Sequence, residues 1–335
     1  MKKIKNLILF LIILIMVLNT PYVLYSSRSQ SEFDCNENSQ EKNVKGAYYT
    51  PVSPITINGN SGWNTAALTE PWCSGSGTWN DPYIIEDISV DGLNTSTCIS
   101  ISDSTVYFII RDSLCTNAGR ELPSERGGIE LYNVKNGALI NNDCSNDNSR
   151  GIKIINCNNI TILNNQANNN KWSGISVGGS TNNKVSGNTA RNNHDGIYLS
   201  GSSIKNLVDN NVVRSNSYRG IRLTNSNNNT IFKNKASESD SGIDLTTSHF
   251  NNISENTLSY NTIYGVSLLY SNNNTIFKNT FKCNKKDIDE FSSSGNIIEE
   301  NIYEPCAIPG FDLYIMIGIL GIISIIIGKK LKKFK

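Results

Sequence analysis

The nine residues SNNNTIFKN run from Ser226 to Asn234 and recur, letter for letter, from Ser271 to Asn279. The copies lie 45 residues apart, which is two turns of a repeat of about 22 or 23 residues. Aligning the chain on its glycines exposes that repeat. The hexapeptides GIELYN, GIKIIN, GISVGG, GIYLSG, GIRLTN, GIDLTT and GVSLLY start at Gly128, Gly151, Gly174, Gly196, Gly220, Gly242 and Gly265. The steps are 23, 23, 22, 24, 22 and 23 residues, and a period this constant marks a solenoid.

Within each repeat apolar and polar residues alternate, so its pieces are short strands. One apolar column reads Ile129, Ile152, Ile175, Ile197, Ile221, Ile243 and Val266; two residues on, a second reads Leu131, Ile154, Val177, Leu199, Leu223, Leu245 and Leu268. A third runs Leu139, Ile162, Val185, Val208, Ile231, Ile253, Ile276 and Ile298, and a fourth Cys144, Ala167, Ala190, Val213, Ala236, Leu258 and Phe281. A single coil has too little apolar surface to fold, but coils stacked at about 4.8 Å bury all four columns as one core. Helical repeats are excluded, because no run here shows a 3.6-residue period and asparagine is a poor helix former.

Asparagine forms its own column: Asn142, Asn165, Asn188, Asn211, Asn234, Asn256, Asn279 and Asn301. A corner between strands often needs positive φ, which Asn tolerates, and stacked amides can bond to one another and to corner backbone. The expectation is therefore an asparagine ladder with positive φ at its members. Further upstream, CISIS and IIRDSL repeat the coil, with Cys98 at the glycine position and Asp112 at the asparagine position. The surplus length falls in AGRELPSERG, a polar loop expelled from the solenoid.

The formal net charge of +1 conceals an asymmetry. Lys2, Lys3, Lys5, Lys329, Lys330, Lys332, Lys333 and Lys335 sit at the ends; without them 22 basic residues face 29 acidic ones, and the middle carries −7. That balance argues against a nucleic-acid partner. MKKIKN followed by LILFLIILIMVL reads as a basic n-region and a short apolar core, hence a secretory signal. LYIMIGILGIISIIIG (Leu313 to Gly328), closed by KKLKKFK, reads as a membrane span with its basic end in the cytoplasm. The reading divides the chain into a signal peptide (1–27), a linker and N-terminal cap (28–74), a β-helix (75–306), and a sorting motif, transmembrane helix and basic tail (307–335). The β-helix then lies outside the cell, anchored at its surface.

Two resemblances sharpen this. GSGTWNDPYIIEDISVDG (Gly75 to Gly92) and the NxTIxxN coils resemble right-handed parallel β-helix proteins of the pectin-lyase-like superfamily, nearest the NosD-like, carbohydrate-associated branch, over residues 75 to 303. The implied fold is all-β: a single-stranded right-handed parallel β-helix of about 22–24 residues per coil, with an N-terminal cap and a C-terminal transmembrane helix. The superfamily holds lyases, hydrolases, epimerases and adhesins, so the resemblance specifies fold more than activity. IPGF, with Pro309, Gly310 and Phe311 ahead of the apolar run, resembles archaeal PGF-type sorting signals, which implies processing at that tripeptide.

Trp63, Trp72 and Trp79 suggest the cap. Eight cysteines fit an oxidising exterior, and no CxxC is present. Cys73 with Cys98, and Cys283 with Cys306, lie about one coil apart and are candidate staples, while Cys144 falls in an inward column. Connectivity stays open at this level.

Two outward columns flank the glycine strand, and they gather Asp195, Tyr198, Arg219, Arg222 and Asp244, with His194 and Asp240 at the border. A uronan lyase would use Arg219 or Arg222 as base and Ca²⁺ held by Asp195, Asp240 and Asp244. A hydrolase would use paired carboxylates, for which Asp240 and Asp244 are the nearest approach. The competing account makes Arg222–Asp244 and Glu130–Lys153 simple cross-coil ion pairs, and the weight falls there. The copper role suggested by the NosD resemblance meets few soft ligands: Met1, Met16 and Met316 lie in the terminal apolar segments, and His194 and His249 lie about two coils apart. Trp172, Tyr198, Tyr218 and Tyr264 sit around the glycine turns, where an aromatic face can stack on a sugar ring. The leading expectation is a surface recognition or structural protein that binds glycans and uses no cofactor. The alternative is a polyuronide lyase or hydrolase, with calcium if a lyase.

Overall fold

The structure is a computed structural model and describes residues 49–119 and 126–306. The segments expected to be a signal peptide (1–27) and a sorting motif with a transmembrane helix (307–335), and Cys35, lie outside the described residues, among which no helix is long and apolar enough to cross a membrane.

The chain winds as a parallel β-helix with three faces. A 10-stranded sheet runs from Ile55–Asn58 through the glycine-led strands, such as Arg150–Ile155 and Arg219–Thr224, to Lys286–Phe291. An 11-stranded sheet carries the third apolar column, and a third sheet carries the fourth, its two runs joined by isolated bridges from Leu114 through Asp143 and Gln166 to Thr189. The pairing is in register coil on coil: Ile129, Ile152, Ile175, Ile197, Ile221, Ile243 and Val266 are each opposite the next. All four columns are buried, save Ile298 on the last coil, which stays partly exposed.

The first coil starts earlier than Gly75. Thr50–Val52 pairs with Ile88–Asp91, and Ile55–Asn58 pairs with Ile99–Ser102, so Ile55 and Ile57 already head the core columns. The cap is a helix, α1 (Gly59–Thr69), a local structure that the repeat pattern does not foresee. Its Trp63 is fully buried, with ring centroids 5.3 Å from Tyr83 and 5.0 Å from Phe108, and so closes the apolar end of the solenoid. Trp72 packs half-buried against the core, whereas Trp79 is 76% exposed and meets only the edge of Tyr107.

The asparagine ladder is present, with one correction. Asn165 Nδ2 donates to Asn188 Oδ1 (3.0 Å) and to Leu139 O (2.9 Å), while its backbone N–H donates to the same Asn188 oxygen at 2.8 Å. That pattern repeats up the column. Positive φ belongs instead to the residue just before each ladder member: Asn141, Asn164, Gly187, Asn210, Lys233, Glu255, Lys278 and Glu300. The corner bends there, and the ladder amide, turned inward, satisfies the backbone groups that the bend leaves over. Asp112 accordingly stands in the bend, beside Asn141, and Ser113 takes the ladder position under Asn142.

Two further ladders escaped the sequence reading. One runs Asn183, Asn206, Asn229, Asn251, Asn274 and Asn296 between the first two sheets. The other precedes the glycine strand: Asp147, Asn170, Asn193, Asn216, Ser239, Asn261 and Asn284. Asp147 is its odd member. A Cβ at Gly128 would meet Asp147 Oδ2 at 2.6 Å, just as one at Gly151 or Gly196 would meet the Nδ2 of Asn170 or Asn216 at 2.8 Å. An acceptor thus occupies a donor's place, buried and without a hydrogen-bond partner. Burial pushes the Asp147 carboxyl up to about 8, against the Ala118 N–H that donates to Oδ1 and with the charge of Asp143.

The sign follows directly. The folded state binds a proton that the unfolded chain releases near its ordinary value of 3.8, so this group makes stability fall as pH rises from about 4 to about 8. Asp147→Asn is expected to remove that slope and to raise stability by roughly 3–5 kcal/mol at pH 8 to 9, measured by denaturant titration across pH.

Cys283 and Cys306 form a disulfide. Cys73 and Cys98 do not: both are free thiols. Cys73 lies on a two-residue strand antiparallel to Tyr83–Glu86 in the 11-stranded sheet, while Cys98 sits at the glycine-column corner with its thiol on Thr116 O at 3.3 Å. They occupy different faces of the coil.

Candidate functional site

The 10-stranded sheet turns two columns of side chains outward at its leading edge. Register sets Ser173, Asp195, Arg219, Ser241, Tyr264 and Lys286 in one, and Glu130, Lys153, Ser176, Tyr198, Arg222, Asp244 and Ser267 in the other. Asp195, Tyr198, Arg219, Arg222 and Asp244 therefore form one patch over three consecutive coils.

Within it the charges pair diagonally. Arg219 Nε lies 3.1 Å from Asp244 Oδ2, and Arg222 Nη1 lies 3.6 Å from Asp195 Oδ2, although register places Arg222 directly opposite Asp244. The arginine stems reach across the columns with their guanidiniums against the Tyr218 and Tyr198 rings. Both aspartates are almost wholly buried, so each arginine compensates a carboxylate that would be costly alone. His194 Nδ1 lies 3.3 Å from the same Asp195 oxygen, and Asp195 Oδ1 has no hydrogen-bond partner. Farther along, Lys153 Nζ and Glu130 Oε1 form the expected cross-coil pair at 2.9 Å.

The aromatics split into groups. Trp172, His194 and Tyr218 make a row at the corner before the glycine strand, one ring per coil, with centroids 5.6 Å and then 5.1 Å apart. Backbone bonds fix the row: the His194 N–H donates to Trp172 O at 2.7 Å and the Tyr218 N–H to His194 O at 2.9 Å. The Arg219 guanidinium stacks 3.3 Å from the Tyr218 centroid, and Arg222 lies 5.0 Å from the Tyr198 ring and 5.7 Å from that of Tyr218. All these rings are half-buried. Tyr264 stands two coils beyond Tyr218, in register with Ser241 and Lys286, and is not part of the row. The residue underweighted from sequence is His194, the middle ring; the signal was its place between Trp172 and Tyr218 at coil spacing.

The carboxylates needed for a calcium-dependent lyase are not gathered. Asp195 faces Arg222 and His194, Asp244 faces Arg219, and Asp240 accepts from Thr262 Oγ1 at 2.9 Å. Among the described residues no group of three or more His, Cys, Asp or Glu side chains is placed to hold a metal ion.

Comparison with known proteins bears on the whole solenoid. A family model described as "Periplasmic copper-binding protein (NosD)" matches residues 99–304. No curated protein matches the chain. Among solved structures, the A-module of the Azotobacter vinelandii mannuronan C-5 epimerase AlgE6 is 15% identical with a TM-score of 0.53, over 66% of this chain and 65% of that one. This chain thus spans just under two thirds of that module. A point mutant of the periplasmic alginate epimerase AlgG is 14% identical with a TM-score of 0.54, over 76% of this chain and 85% of that one. At such identities the likeness is one of fold.

The family description implies copper, and the described residues do not fit it. His194 precedes the glycine strand, whereas His249 follows one two coils away, with its Nδ1 accepting the Asn272 N–H at 3.0 Å. The methionines lie outside the described residues. The soft donors inside the coil are fully buried thiols.

Proposed function

The chain belongs to the NosD family of parallel β-helix proteins, and from that premise we propose that it is an extracytoplasmic glycan-binding protein that reads sugar chains along the Trp172–His194–Tyr218 row. One observation carries the reading: three rings follow one another coil by coil, with the Arg219 guanidinium stacked on Tyr218 at the end of the row and Arg222 5.7 Å from the same ring. Coils rise about 4.8 Å, close to the length of one sugar unit in a polymer, so successive rings can meet successive sugars. Stacked guanidiniums keep planar N–H donors for hydroxyls and carboxylates. Acidic glycans are the favoured class. The solved epimerases with this fold are named for mannuronan and alginate, which supports a polyuronide as the first ligand to try.

In this reading residues 1–27 direct export, and the segment 307–335, with Pro309, Gly310 and Phe311 at its head, holds the β-helix at the cell surface. No cofactor is needed for binding.

Calorimetric titration with oligouronates and with neutral glucans of equal length tests the proposal. Oligouronates are expected to bind, and Tyr218→Ala is expected to weaken them about tenfold or more, in line with ~1–3 kcal/mol per stacked ring. Binding unaffected by Tyr218→Ala would remove this site. A polyuronide degradation assay with Ca²⁺, run on wild type and Arg222→Ala, separates the lyase alternative: turnover by wild type that Arg222→Ala abolishes would replace binding with catalysis.

A further inference from the structure

On the coil ahead of Gly128 the place of the glycine is held by Cys98. Register sets Cys98 opposite Gly128, and Cys115 opposite Cys144 in the fourth apolar column, between Val90 and Ala167. These two columns approach each other diagonally at every coil. A Cβ built on Gly128 would lie 3.3 Å from Cys144 Cβ, on Gly196 3.1 Å from Val213 Cβ, and on Gly220 3.2 Å from Ala236 Cβ. Shifted down one coil, the same diagonal joins Cys98 to Cys115. Cys98 therefore carries a real Cβ where the lattice makes the approach close, and a disulfide needs Cβ atoms about 3.5–4.5 Å apart. Both thiols are fully buried, Cys98 with its Sγ–H on Thr116 O, the residue next to Cys115, at 3.3 Å, and Cys144 is buried one coil on.

We propose that Cys98 and Cys115 form a structural disulfide in the exported protein, clamping the solenoid at the coil that ends at Gly119, with Cys144 left as a thiol. This rests on coil geometry and not on the glycan reading. The bond forms by thiol–disulfide exchange. One thiolate attacks an external disulfide, low-molecular-weight or carried by an oxidase, and releases the first thiol; the second cysteine displaces the other. Two protons and two electrons leave the pair, and the external disulfide is reduced to two thiols. The neighbouring thiol, Cys115 for Cys98 and Cys144 for Cys115, and then burial raise both thiols well above their ordinary range, so little thiolate exists once the coils have closed. Exchange accordingly belongs to the folding chain.

The experiment uses the full chain produced in an oxidising compartment, alkylated in denaturant without reductant, and digested with trypsin and a glutamate-specific protease. Cleavage after Glu86 and Arg111 separates Cys73, Cys98 and Cys115 onto different peptides. The expected map shows Cys98 linked to Cys115, Cys283 linked to Cys306, and Cys144 alkylated. Alkylation of both Cys98 and Cys115 while Cys283–Cys306 is linked would overturn the proposal, as would either one bonded to Cys73 or Cys144. As a second readout, Cys283→Ser/Cys306→Ser protein should lose on the order of 5 °C of thermal midpoint when reductant is added. A midpoint unmoved by reductant would also overturn it.

Discussion

Gly220→Ala is expected to lower the thermal midpoint by about 10 °C or to prevent folding, while Gly178→Ala leaves it within about 2 °C. A Cβ at Gly220 would lie 2.5 Å from the carbonyl oxygen of Gly242 on the next coil, 3.2 Å from Ala236 Cβ and 3.3 Å from Val213 Cγ2. None of these can yield. The carbonyl belongs to a strand paired along its length, and Ala236 and Val213 sit in a core with no exposed surface. Relieving the clash means separating coils, at a cost of roughly 3 kcal/mol or more, with each kcal/mol worth about 2–4 °C in a domain of this size. At Gly178 the nearest atom, Ile155 Cγ1, is 3.7 Å away, so a methyl group fits. Circular-dichroism melts of the two variants check the pair. Equal effects would mean that glycine serves this column for a reason other than crowding.

Asn211→Ala is expected to be the most damaging change outside the glycines. Asn211 Oδ1 accepts the Asn188 N–H at 2.8 Å and Asn188 Nδ2 at 3.0 Å; Asn211 Nδ2 donates to Val185 O and to Asn234 Oδ1, each at 2.9 Å. Alanine leaves two donors of Asn188 and the Val185 carbonyl buried without these partners. At about 1–3 kcal/mol for each such group, the sum is roughly 4–6 kcal/mol. Ser239 holds a place in the neighbouring ladder, where its Oγ accepts the Asn216 N–H at 3.3 Å, so Asn211→Ser should fall between wild type and alanine. Urea denaturation of the three proteins gives the order, and an alanine variant as stable as wild type would contradict it.

The sequence made the solenoid legible because register is periodic and each buried column repeats its residue type. Ile129 predicts Ile152, and the period of 23 does the rest. Exceptions to the period were harder to read. Helix α1 occurs once, carries two glycines and three polar residues among its first six positions, and shows no alternation to flag it. Positive φ was assigned to the ladder asparagines because Asn fits both places; Lys233 and Glu255 in the bend show that the ladder, not the φ, selects the amide. The ladder through Ser239 and Asp147 mixes residue types and hides from a search for one letter.

At the candidate site, register placed Arg219, Arg222, Asp195 and Asp244 together but could not say which arginine meets which carboxylate. Register fixes Cα positions, whereas the reach of a guanidinium across columns is decided by packing against Tyr198 and Tyr218. The aromatic row was half legible for the same reason. Trp172 and Tyr218 stood out as rings, and only the coil geometry set His194 between them.

The most direct measurement is a crystal structure of the protein with the oligouronate that binds it best. Sugar rings seated along Trp172, His194 and Tyr218, with a carboxylate or hydroxyl on Arg219 or Arg222, are the expected result. Sugar bound on another face of the coil, with this row bare, would contradict it.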